Sequence, residues 1–312
     1  MKTNAIIRII IWSIVLVFLV GVLAAFIADE LYLNDDTVAT TPVEWESSIL
    51  LAPTEEVYAT WETEAPVQSL ENNEKLIVSP DNVQEIKIDW VAGDIIILPG
   101  EVEEITISES DGTDEKYAMV WQMDDRTMEI AFSEEKLMSG FGISFGADIH
   151  KDLYITVPKD WDCRSLEINA AEATVEIRDL AIDELDLDGA SGTIRVESCN
   201  IRDMDIDTAS GDVIFSGTLD TLDFDAASAN FLGEFQNTPT RLDMDSMSGT
   251  LDISLPEDCG YALSMDGMSK TFRSDFQGTE NRNGIHTYGD GRCRIRVDGI
   301  SCNVTIRKGA TP

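Results

Sequence analysis

The feature that most constrains the fold is a short repeat. Aligned in register, the chain reads LEINAAEATVEI from Leu166, LDLDGASGTIRV from Leu185, MDIDTASGDVIF from Met204, LDFDAASANFLG from Leu222 and LDMDSMSGTLDI from Leu242. These starts lie 19, 19, 18 and 20 residues apart. Outlying copies follow the same template, IKIDWVAGDIII from Ile86 and IRVDGISCNVTI from Ile295. A unit this short cannot bury its own apolar face, so a fixed period near 20 implies stacked units sharing one core.

Inside each unit apolar residues hold the first and third positions (Leu185, Leu187) and again the tenth and twelfth (Ile194, Val196), alternating with polar ones. That period of two belongs to strands with one buried and one wet face. Between them lies a four-residue corner, Gly189 to Gly192 or Thr208 to Gly211, where glycine supplies the backbone freedom of a tight turn. The expectation is an all-β fold, a parallel β-solenoid of 18–20-residue coils spanning residues 80–308, with 309–312 as a tail. In the Leu222 copy, Gly233 stands where an apolar residue is expected, which suggests a bulge or a shifted register. Residues 101–162 interrupt the spacing. Tyr117–Gln122 and Thr127–Phe132 flank Met123-Asp124-Asp125-Arg126 as a β-hairpin insertion, and Leu153–Val157 reads as a further strand.

The N-terminal part has another character. An apolar stretch over residues 6–28 is long enough to cross a bilayer as one helix. Lys2 and Arg8 lie at its start and Asp29, Glu30, Asp35 and Asp36 follow it, so residues 1–5 are expected in the cytoplasm and the bulk outside, on a single-pass signal anchor. A cleaved signal peptide ending near Ala24 competes, but the apolar region exceeds the usual length. Residues 29–79 carry twelve acidic residues against one lysine and no sustained apolar period, the composition of a disordered tether.

With 59 acidic against 22 basic residues the formal charge is −37, which argues against nucleic acid and against a face lying on anionic lipid. Cys163, Cys199, Cys259, Cys293 and Cys302 show no zinc spacing. A Cys293–Cys302 bridge is compatible with export, but burial as small apolar residues is the favoured reading.

The second and fourth template positions are aspartates in four consecutive copies: Asp186, Asp205, Asp223 and Asp243, beside Asp188, Asp207, Asp225 and Asp245. Stacked in register they form two acidic columns whose mutual repulsion Ca²⁺ would relieve, since hard cations favour carboxylate oxygen. The alternative is a solvated face with raised carboxyl pKa values and diffuse counterions. His150 and His286 have no evident nucleophile partner, and the corner serines Ser191, Ser210 and Ser248 recur because they turn the chain. No catalytic set and no cofactor site emerge.

The recurrent LDxD-xxSG corner, the early IDWVAGDIII and the YITVPKDW strand (Tyr154 to Trp161) that leads into the coils resemble the bacterial putative-adhesin family, formerly a domain of unknown function, over about Val83 to Lys308. The resemblance implies a tethered or secreted envelope protein, in some cases linked with envelope stress, and brings no catalytic residues. The expected partners are the membrane, through the N-terminal helix, and an envelope protein or a glycan. A glycan-cleaving β-helix enzyme and a sensory ectodomain of a membrane complex are the competing readings.

Overall fold

The computed structural model describes residues 55–58, 68–70, 74–110, 117–133 and 150–309. The apolar stretch 6–28 and most of segment 29–79 lie outside them. Among the described residues no helix is long and apolar enough to cross a membrane.

The described chain is all-β and solenoid-like, with sixteen strands in one wound sheet. Neighbouring coils pair in parallel with like template positions opposed: Ile86 with Leu166, Leu166 with Leu185, Leu185 with Met204, and Leu222 with Leu242. Strand Thr193–Phe235 runs unbroken around the corners. Its stacking shows in side-chain hydrogen bonds between residues 18 apart, from Asn230 Nδ2 to Asp212 Oδ1 (2.9 Å) and from Thr221 Oγ1 to Asp203 Oδ1 (2.5 Å).

The core is deeper than the repeat alone suggested. Besides Leu185/Leu187 and Ile194/Val196, a third buried pair, Cys199/Ile201, closes the coil, and Ile182 stacks between Ile201 and Cys163. Each buried aliphatic side chain contributes about 1.5–3 kcal/mol relative to exposure, so every added coil extends a continuous stabilising column. The corner glycines allow the stacking. Gly192 (φ +139°) and Gly211 (φ +143°) lie so close to the preceding coil that a Cβ would fall 2.0 Å from the Ala173 carbonyl oxygen and 2.2 Å from that of Gly192.

Gly233 causes no bulge and no slip, contrary to expectation. Phe231 faces Leu251 and Gly233 faces Ile253 in unbroken register. The missing side chain makes room for two rings, because a Cβ at Gly233 would lie 2.7 Å from Phe235 and 2.8 Å from Phe231.

Both ends depart from sequential stacking. Strand Glu85–Gly100 is flanked on one side by Asp162–Arg178 and on the other by a later coil made of Thr127–Ala131 and Leu153–Pro158. At the far end, Cys293–Lys308 inserts between Arg241–Leu255 and the earlier Tyr261–Ser274. The chain thus skips one slot at each end, and that slot is filled by the first or the last long strand.

Antiparallel strands cover the N-terminal end. Ile105–Glu109 pairs with Leu153–Pro158, Glu74–Val78 pairs with Ile105–Glu109, and Glu55–Tyr58 joins Glu74–Val78 in parallel. The hairpin forms as expected, with a tighter turn at Asp125 and Arg126, and Gln68–Ser69 adds to it. Sheet structure therefore begins before the expected boundary at residue 80. Leu70, Leu76, Ile77 and Val78 are buried there, but their runs are too short to register as periodic. Beneath this cap the ammonium of Lys151 is fully buried, bonded to the Glu109 carboxylate and to Tyr117 O (2.7 Å), with the rings of Phe132 and Trp90 at 4.4 and 4.8 Å. Burial lowers its pKa while Glu109 opposes the change.

At the other end Tyr261, Phe276, His286 and Tyr288 close the core with ring centroids 4.7–5.9 Å apart. All five cysteines are buried free thiols, so no Cys293–Cys302 bridge forms. They lie inside the coils as small apolar residues do.

Candidate acidic ladder

Parallel in-register stacking carries each template position into a column, and the two aspartate columns follow directly. In the first, Glu167 faces Asp186, Asp186 faces Asp205, and Asp223 faces Asp243. In the second, Asp188 faces Asp207 and Asp225 faces Asp245. Counterparts in adjacent coils stand about 4.8 Å apart along the backbone, so each carboxylate feels those above and below.

The columns run further than the four repeats foretold. The second continues through Asn169 to Asp89 at one end, and through Asp298 to Asp266 at the other. The outlying copies at Ile86 and Ile295 carry that signal at their fourth positions. Asp266 was hidden because the coil starting at Leu263 carries Lys270 where the corner glycine recurs and occupies a spatial slot out of sequence order. The first column instead ends in cations. Lys87 meets Glu167 at 3.1 Å, and Arg296 faces Asp243 in register and pairs with Asp298.

Electrostatics separate the columns. Burial, then the neighbouring carboxylates Asp225 and Asp188, push Asp207 up to about 7. Burial followed by Asp186 and Asp205 pushes Asp188 up to about 6. Asp186, Asp205 and Asp223 also rise, again first through burial, but Lys87 pulls Asp186 down and Arg241 does the same for Asp205 and Asp223. Arg241 Nη1 lies 3.2 Å from Asp243 Oδ2 and 3.8 Å from Asp223 Oδ2. The other oxygen of Asp243, Oδ1, is buried and accepts no hydrogen bond. Asp188 and Asp207 therefore hold protons at mildly acidic pH, and their charge is coupled to that of the carboxylates stacked beside them.

Among the described residues no three His, Cys, Asp or Glu side chains converge in a group able to hold a metal ion. The serines Ser191, Ser210 and Ser248 sit at the corners of the coils that start at Leu185, Met204 and Leu242. His286 packs between Phe272 and Tyr261 in the aromatic cap, and His150 is exposed. A polar groove of about 750 Å³ runs along another face, where Asp162, Arg164, Asp183, Arg202 and Asp220 contribute side chains of both signs.

The model of the Toastrack DUF4097 family matches residues 83–307. No curated protein matches the chain. Among solved structures, a putative adhesin from Bacteroides fragilis is similar at 10% identity, over 72% of this chain and 94% of that one, with a TM-score of 0.41. A putative cell adhesion protein from Clostridium sporogenes is 13% identical over 75% and 98% of the two chains, with a TM-score of 0.35. A putative lipid binding protein from Parabacteroides distasonis is 13% identical over 80% and 99%, with a TM-score of 0.39.

Proposed function

The chain belongs to the Toastrack DUF4097 family, and from that premise we propose that it is a cell-envelope protein that works by binding or scaffolding and not by catalysis. Residues 6–28 anchor it in the membrane as a single pass with residues 1–5 in the cytoplasm, and the acidic β domain is displayed outside, in adhesion or in the response to envelope stress. The observation that supports this most is the ladder. Its polar groups repeat once per coil along a rigid column, which suits an extended partner or a cation layer, whereas catalysis asks for groups converging on one reacting atom.

The ladder gives the surface a charge set by the medium. With Asp188 at about 6 and Asp207 at about 7, protons and cations compete for the same oxygens near neutrality. Ca²⁺ held by Asp186, Asp188, Asp205, Asp207, Asp223, Asp225, Asp243 and Asp245 is the specific form of this reading, and a diffuse counterion layer is the general one. Calorimetric titration of the protein with Ca²⁺, with Mg²⁺ as control at matched ionic strength, separates the two. Saturable heat with a raised melting temperature, lost in Asp207→Asn/Asp225→Asn, identifies the ladder as a calcium-conditioned surface. A response equal to that of Mg²⁺ leaves a proton- and counterion-tuned scaffold. Hydrolysis of envelope glycans by the purified protein, abolished by one carboxylate substitution, would overturn the non-catalytic reading.

A further inference from the structure

The coil Tyr261–Ser274 ends the stack, and it is finished on one flank only. Along its length it pairs with Cys293–Lys308, but on the opposite side only Tyr261–Leu263 are paired, with His286–Tyr288. From Ser264 to Ser274 no strand among the described residues occupies that edge. One backbone acceptor there, Met265 O, is served by a side chain, the Lys270 ammonium at 2.8 Å. A strand edge in this state is a template for one more strand.

Two further properties say what would fit. The corner above the edge is apolar and open: Met268 is 90% exposed and its neighbour in the next coil, Ile300, is 52% exposed. Together the two side chains offer a small apolar contact beside the open edge. The charge is also reversed with respect to the rest of the molecule. Residues 259–309 hold eight basic residues (Lys270, Arg273, Arg282, Arg292, Arg294, Arg296, Arg307, Lys308) against five acidic ones, in a chain of formal charge −37. On the open strand itself Lys270 and Arg273 are exposed beside a single carboxylate, Asp266, the last member of the ladder.

We propose that this edge is a docking site for an acidic, extended peptide segment of a partner protein, added as a further strand. The backbone of the segment takes up the free edge of Ser264–Ser274, its carboxylates meet Lys270 and Arg273, and its alternate apolar residues cover Met268. A second copy presenting the same edge would bring Lys270 and Arg273 with only one carboxylate, Asp266, to meet them, so the charge favours a segment rich in acidic residues over a symmetric dimer. The site goes beyond the acidic ladder and does not depend on it.

The test uses the full chain and a fluorescein-labelled dodecapeptide of alternating Glu and Val, with a Lys/Val peptide as control, followed by anisotropy and by amide hydrogen exchange. Saturable binding of the acidic peptide only, with slowed exchange confined to 264–274, is the expected result. Lys270→Glu/Arg273→Glu is expected to weaken it by roughly tenfold or more, and Met268→Glu by several-fold, with unchanged melting temperatures. Equal binding of both peptides, binding untouched by the charge reversals, or protection elsewhere would overturn the assignment. So would concentration-dependent self-association that buries 264–274, which would give the edge to a second copy.

Discussion

Asp207→Asn is expected to make the protein more stable at pH 8 and to leave it nearly unchanged at pH 4. In the folded ladder the carboxyl of Asp207 is pushed from an ordinary 3.8 up to about 7 by burial and by Asp225, Asp188 and Asp205. A folded pKa above the unfolded one means that the folded state holds the proton more tightly. Below about 3.8 both states are protonated and the residue has no effect. As pH rises toward 7 the unfolded chain ionises first, and above 7 the folded state carries a full, unwelcome charge. At about 1.4 kcal/mol per tenfold change in proton affinity, the ceiling on that penalty is ~4 kcal/mol. Part of Asp207 remains open to water, and solvent screening reduces the net value to ~1–2 kcal/mol. Asparagine has the shape of the protonated acid and no charge. Urea unfolding of wild type and variant at pH 4, 5, 6, 7 and 8, at constant ionic strength, should show a gap that opens between about pH 4 and 7 and is then level. A variant less stable than wild type at pH 8, or a gain equal at pH 4 and pH 8, would refute the electrostatic account.

The packing makes further predictions. Gly192→Ala should cost at least ~2 kcal/mol in denaturant midpoint analysis, because its Cβ would fall 2.0 Å from the Ala173 carbonyl oxygen at a φ of +139°. Glu109→Ala strands the Lys151 ammonium in an apolar site and should cost ~3–5 kcal/mol, much of it regained in the double variant Glu109→Ala/Lys151→Met. The five buried thiols, with Cys163 and Cys293 pushed up to about 12, should resist Ellman's reagent in the native protein and all react in guanidinium. Fewer than five reacting after unfolding without reductant would show a bridge.

Periodicity reports what repeats, and that decides which parts of this molecule were legible in the sequence. Leu185, Leu187, Ile194 and Val196 recur at fixed offsets, so the two main strands, their stacking and the aspartate columns follow from counting. Cys199 and Ile201 recur as well, but their counterparts include Trp161 and Cys163, and so varied a set hides a third apolar pair. Gly233 misled because a glycine in a strand is ambiguous, and only the rings of Phe231 and Phe235 show that the space is already filled. The open edge was out of reach. Order along the chain does not reveal that Cys293–Lys308 lies inside Tyr261–Ser274, so the end of the stack falls on residues that are not last in sequence.

That inverted order also bears on how the molecule is made and how it comes apart. An ordinary solenoid can peel from either extremity one rung at a time, and can grow rung by rung as it leaves the ribosome. Here Glu85–Gly100 and Cys293–Lys308 are each clamped between two neighbours, so freeing either strand breaks two ladders at once, and a pull on it is borne as shear. Fraying of these two strands is suppressed, while Tyr261–Ser274, held on one flank for most of its length, keeps the freedom of an ordinary end rung. Assembly bears the corresponding cost, since Tyr261–Ser274 must wait beside an empty slot until Cys293–Lys308 has been synthesised and threaded home. Closure of this end therefore has to follow the synthesis of Cys293–Lys308, and until then the strand is exposed to pairing with the wrong chain.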